Sequence, residues 1–150
     1  MRSMEEKIVG KTKHGEITID QLAQIQPGMA RLMDEISRRF YYLYYAAKGG
    51  NWPMAKHQYN ETVAIMNIVK ITRPKYAIDM ETNEKHHLSP LVEAIDKQDW
   101  KGFEAAYKKA VEGSDYYHDK YDYSFIRFVL PSKPPEHLYL GAPEKFSRKK

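Results

Sequence analysis

Ser114-Asp115-Tyr116-Tyr117-His118 gathers a hydroxyl, a carboxylate, two phenols and an imidazole within little more than one helical turn. Ser114, Tyr117 and His118 are related by three and four residues, so a helix puts them on one face. An imidazole placed there could ligate a metal or take a hydrogen bond from a tyrosine hydroxyl. Nucleophilic catalysis would need more, and the chain has neither a Gly-x-Ser-x-Gly elbow nor a phosphate-binding glycine loop. Glu84-Lys-His-His87 fits the Glu-x-x-His spacing of a di-iron carboxylate site, and Asp115-Tyr-Tyr-His118 is a near match. Such a site also needs inward carboxylates on its two other helices. Glu35 lies off the stripe of Leu32, Met33 and Ile36, Glu61 lies off that of Tyr59, Val63 and Met66, and Asp115 turns away from His118. Adjacent His86 and His87 project about 100° apart on a helix and read as a solvated pair. No metal site is expected.

The elements that position these residues are helices with clear punctuation. Thr18 and Gln21 form a capping-box pattern over a short helix. Pro27 opens a longer one that runs to about Lys48, with Met29, Leu32, Met33, Ile36, Phe40, Leu43 and Ala47 at helical spacing before Gly49-Gly50. Asn51 is placed to cap the next helix, with Ala55, Tyr59, Val63, Met66 and Val69 as its inner stripe and Pro74 at its end. A broken third stretch follows, in which Ser89-Pro90 reads as an N-cap and first helical position. Asp99 caps a last helix carrying Trp100, Phe103, Tyr107, Ala110, Ser114, Tyr117 and His118. Short connections favour antiparallel neighbours, so an all-α, up-down antiparallel four-helix bundle is expected. It would form a single domain over residues 1–150, with the bundle core at about 18–123 and an extended C-terminal tail over 124–150. Residues 1–16 and 141–150 read as loosely held ends.

Composition narrows the possible functions. With no cysteine among 150 residues, disulfides, thiolate metal sites and cysteine nucleophiles are all excluded. A net charge of +4 is concentrated at the C-terminus, where Lys133, Lys145, Arg148, Lys149 and Lys150 face only Glu136 and Glu144. A tail of that size reads as a solvated terminus, with an acidic protein partner as the alternative, and not as a nucleic-acid-binding surface. No apolar run approaches the roughly 18 residues of a membrane helix. The first ten residues lack the apolar region of an export signal, so a cytoplasmic location is expected if Met1 is the true start. Twelve tyrosines, four of them at 41, 42, 44 and 45, could line a small apolar or aromatic pocket or form a self-association surface.

Several segments taken together resemble the four-helix-bundle c-type cytochromes of the cytochrome c-prime and c-556 type. They are Ile25-Gln-Pro-Gly-Met29, Tyr44-Tyr-Ala-Ala-Lys48 into Gly50-Asn-Trp-Pro53, Thr72-Arg-Pro-Lys-Tyr76, and Phe103 through His118 to Phe125-Ile126-Arg127, about residues 18–135 in all. In that family the last helix carries Cys-x-x-Cys-His, whose cysteines attach haem and whose histidine ligates the iron. Here Ser114 and Tyr117 stand at the cysteine positions, so no thioether can form, and the Tyr117 ring would take space a porphyrin needs.

The resulting expectation is a haem-free relative without catalytic activity or cofactor, acting as a self-associating binding or assembly module. The resemblance implies a homodimer through the first two long helices. A pocket retained from the haem space would be formed by Tyr44, Tyr107, Ser114, Tyr117, His118 and Arg127. Arg127, inside an apolar run, needs a helix C-terminus or an anionic ligand as its partner. The alternative is a redox or gas-sensing protein that holds haem non-covalently through His118, with Met29 or Met33 on the distal side.

Overall fold

The computed structural model describes residues 8–146, which are mostly helical with one small two-stranded sheet ahead of the helices. Strands β1 (Val9–Thr12) and β2 (Gly15–Thr18) pair antiparallel, with Val9 opposite Thr18 and Thr12 opposite Gly15. The loose end expected over residues 1–16 is therefore a hairpin from Val9 onward. Its turn is closed by Thr12, whose Oγ1 accepts from the His14 N–H and donates to the Gly15 carbonyl, both at 3.1 Å. Gly15 sits at φ +131°, a region that residues with side chains rarely adopt. The basic residues Arg148, Lys149 and Lys150 lie outside the described residues.

The capping box forms as the sequence predicts: Thr18 Oγ1 accepts from the Gln21 N–H, and Gln21 Oε1 accepts from the Thr18 N–H, opening α1 (Ile19–Gln24). Helix α2 (Met29–Lys48) ends at Gly49-Gly50, and Asn51 caps α3 (Trp52–Thr72) by accepting from the Met54 N–H. The inner face of α3 is rotated from the expected stripe. Gln58 and Thr62 are buried, while Tyr59 and Val63 are only half-buried. These polar residues tolerate burial because each is satisfied. Thr62 Oγ1 donates to the Gln58 carbonyl at 2.8 Å, and Gln58 Oε1 accepts from Arg39 at 3.1 Å.

After a 3-10 turn at Pro74–Tyr76, helix α4 (Ala77–Asn83) continues through a π-helical turn (Glu84–Leu88) into α5 (Ser89–Asp96). The expected N-cap at Ser89 does not form, because Ser89 is itself helical (φ −59°, ψ −45°). Pro90 has no N–H for the helical ladder, and the π-turn absorbs the defect by adding a residue. Ser89 donates to the Glu84 carbonyl from both its backbone N–H and its hydroxyl, the latter at 3.1 Å. Asp99 caps α6 (Trp100–Lys120) as expected, accepting from the Gly102 N–H at 3.1 Å.

Helix α2 packs along α3, α3 meets α5, α5 meets α6, and α6 returns to α2. The main core is centred on Phe103, Leu43, Leu91 and Ile95, all essentially inaccessible. A smaller cluster joins Leu32 of α2 to Ile65 and Val69 of α3, with Met29, Met33, Tyr76 and Met80 around it. The chain after α6 is extended and crosses the end of α2 at Gly49. A Cβ on Gly49 would lie 2.1 Å from the Leu140 carbonyl oxygen, so this crossing requires glycine.

Candidate functional site

The last helix sets one wall of an open groove. Glu104, Tyr107, Lys108, Val111 and Glu112 are spaced three, four, seven and eight residues from the first, which places them on one face of α6. Tyr44 of α2 closes one side, and Phe128 and Leu130 of the extended segment close the other. The open groove has a volume of about 370 Å³, within the range of small-molecule sites.

The aromatic rings that build the groove hold one another. Tyr107 stacks on Phe40 with centroids 4.5 Å apart, and Phe128 meets Phe40 edge-on at 5.9 Å. The Tyr44 ring lies 5.0 Å from Tyr107 and 5.5 Å from Trp100. Such contacts contribute about 0.5–1.5 kcal/mol per pair beyond area burial. The Tyr107 hydroxyl donates to the Phe40 carbonyl at 2.8 Å, and its burial pushes the phenol far above the ordinary tyrosine range. The Tyr44 phenol is raised as well, first by desolvation and then by the nearby Glu104 carboxylate.

The other α2 tyrosines hold the extended segment in place. Tyr41 donates to the Lys133 carbonyl and Tyr45 to the Pro131 carbonyl, both at 2.6 Å, and the Tyr42 hydroxyl lies 3.3 Å from His137 Nε2. Asn51 Nδ2 donates to the Tyr139 carbonyl, and Gly50 bridges to Gly141. The tyrosine row is thus a clamp on the chain's own C-terminal segment.

Of the six residues predicted for a retained pocket, the structure brings only Tyr44 and Tyr107 together in this groove. Ser114, Tyr117, His118 and Arg127 are not part of its lining. Tyr117 is half-buried against Tyr116, and His118 Nδ1 lies 3.1 Å from the Ile126 carbonyl, a backbone partner where a tyrosine hydroxyl was expected. Arg127 finds its partners in the last turns of α6: Asp119 Oδ1 at 2.5 Å and the Asp115 carbonyl at 3.4 Å. The distal ligands suggested for haem pack elsewhere, as Met29 and Met33 sit against Leu32, Ile65 and Val69. The groove reaches none of His118, Met29 and Met33, so these residues do not fit a porphyrin held there.

The carboxylates weighed for a di-iron site are engaged with cations. Arg39 holds Glu35 at 2.8 Å and lies 4.0 Å from Glu61, and Lys70 pairs with Glu84 at 2.7 Å. Among the described residues, no group of three or more His, Asp or Glu side chains is arranged to hold a metal ion. The His87 ring packs against α6 at Gly113, where a Cβ would approach it to 2.7 Å. His87 Nδ1 and Asn83 Oδ1 are buried without a hydrogen-bond partner.

Sequence reasoning missed the groove's outer wall. Glu104, Lys108 and Val111 were legible as neighbours of Tyr107 on one face of α6. The inward alternation of Phe128 and Leu130 was visible too, but nothing in the sequence said where the tail would lie. No protein-family model, curated protein or solved structure matches the chain. The likeness to c-type cytochromes therefore rests on the quoted residues alone. No helix among the described residues is long and apolar enough to cross a membrane.

Proposed function

We propose that this chain is a non-catalytic binding module on a haem-free, cytochrome-like bundle, and that the α2–α6 groove takes a small apolar or aromatic ligand. The four layers would be α2, α3, the α4–α5 run and α6, in up-down antiparallel order. The contact of Leu32, early in α2, with Ile65 and Val69, late in α3, supports that order. The observation that carries the binding reading is the groove itself: Tyr44, Tyr107, Val111, Phe128 and Leu130 leave an open apolar space where the adjoining core is filled. Self-association belongs to the same proposal. Its support lies on α3, where Ile68 and Ile71 are 41% and 80% exposed, while the α2 tyrosines hold the C-terminal segment.

Calorimetric titration with toluene tests the groove. The wild-type chain should bind it, and Val111→Trp should abolish binding by filling the space without lowering Tm. Unchanged binding in that variant would refute the assignment.

A further inference from the structure

We propose that the groove selects aromatic ligands bearing a hydrogen-bond-accepting oxygen, and that the Tyr44 hydroxyl is the group that reads it. This rests on the ligand-binding reading above and narrows its chemistry. Five tyrosines surround the groove and its clamp, and four of their hydroxyls are engaged. Tyr41, Tyr45 and Tyr107 donate to backbone carbonyls, and Tyr42 meets His137. Tyr44 lines the groove, and its hydroxyl makes no hydrogen bond to the protein and is not among the buried unpartnered atoms. It is therefore an accessible donor on a residue that shares the groove with the apolar side chains of Val111, Phe128 and Leu130.

The donor is also fixed in place. Contacts with Tyr45, Trp100 and Tyr107, at 5.2, 5.5 and 5.0 Å between centroids, hold the ring on several sides. A tyrosine has only two torsions to order, and here packing has already ordered them, so binding need not fix the donor again. The nearby Glu104 carboxylate and partial burial both favour the neutral phenol, which keeps the proton available for donation. Charge does not select strongly. Glu104 and Glu112 on the rim are offset by Lys108 and by Lys48, whose Nζ lies 6.0 Å from the Tyr44 ring centre. A neutral ring with one oxygen, such as a phenol or an aryl ketone, fits these features. A purely hydrocarbon ring would leave the hydroxyl desolvated without a partner, which carries a cost.

Titration of the intact chain with phenol and toluene, in wild type and Tyr44→Phe, isolates this contact. The substitution keeps the ring and removes only a hydroxyl that has no protein partner, so Tm should not change. Phenol affinity should fall about fivefold in Tyr44→Phe, the size expected for one net hydrogen bond, while toluene affinity should hold or rise because the variant leaves no desolvated hydroxyl unpaired. Tyr121→Phe, whose lost hydroxyl donates to Asp79 away from the groove, should leave phenol affinity unchanged. Equal changes for both ligands, or none for phenol, would overturn the role of Tyr44 and leave the groove standing. If the wild-type chain binds neither ligand, the groove reading fails and this inference fails with it.

Discussion

The aromatic half around Tyr107 and the far end around His118 and α4 solve the problem of buried polar groups differently. Near Tyr107, the buried Tyr45 and Tyr107 phenols donate to backbone carbonyls, and the accessible Tyr44 phenol belongs to a residue that lines the groove. At the far end, Asn83 Oδ1, His87 Nδ1 and Asp115 Oδ1 are buried without hydrogen bonds. The ion pairs there, Lys120 with Asp79 and Arg127 with Asp119, are partly solvated. Packing and matched hydrogen bonds hold the first region, while charge holds much of the second. Exposed ion pairs contribute only about 0–1 kcal/mol each, so the first region should dominate stability.

The largest expected effect tests that ranking. Phe103 is fully buried and touches the rings of Trp52, Trp100 and Tyr107. Phe103→Ala should cost about 3–5 kcal/mol in chemical denaturation. His118→Ala removes one half-exposed ring and one hydrogen bond, and should cost about 1 kcal/mol or less. A larger loss from the histidine would reverse the ranking.

An intermediate effect sharpens the contrast at the π-turn. Gly113→Ala would press a methyl group into the His87 ring and should cost about 1–3 kcal/mol. In a His87→Ala background the clash is gone, and the same change should stabilise the helix by about 0.5–1 kcal/mol. A thermodynamic cycle on the four proteins measures the sign reversal, and additive effects would show that the close contact does not form.

The smallest effects concern pH, and two groups, one in each region, should respond with opposite signs. Hydrogen bonds from Lys120 and then from the Tyr121 hydroxyl hold the Asp79 carboxyl below the usual aspartate range. Its contribution is thus fully present above the unfolded-state pKa and is lost as pH falls through the lower folded value. Asp79→Asn should flatten the acid limb of a stability profile. Tyr107 is raised, so its contribution is present below the ordinary tyrosine range and is lost as pH rises beyond it. Tyr107→Phe should flatten the alkaline limb and leave the acid limb as it was.

Much of the helical framework was legible because local chemistry writes it: Thr18 and Gln21, Asn51, Asp99 and Gly49-Gly50 mark ends that need no distant partner. The hairpin at Val9–Thr18 escaped notice because its strands are four residues long and mostly exposed, leaving little apolar alternation to read. The face of α3 was misjudged because Gln58 is made tolerable inside by Arg39, nineteen residues away. In the site, Tyr107 lies at the helical spacing of α6 and Tyr44 in the tyrosine row of α2, but their grouping with Ser114, Tyr117, His118 and Arg127 came from the cytochrome resemblance. The path of Phe128 and Leu130 depends on the tyrosine clamp and on the clearance at Gly49, both long-range features.

The most direct test of the central claim is an NMR shift map of the intact, isotopically labelled chain titrated with toluene. Perturbations should centre on Tyr44, Val111 and Leu130, with His118 and Ser114 unmoved. Shifts centred on His118, or no saturable shifts anywhere, would contradict the assignment of the groove as the binding site.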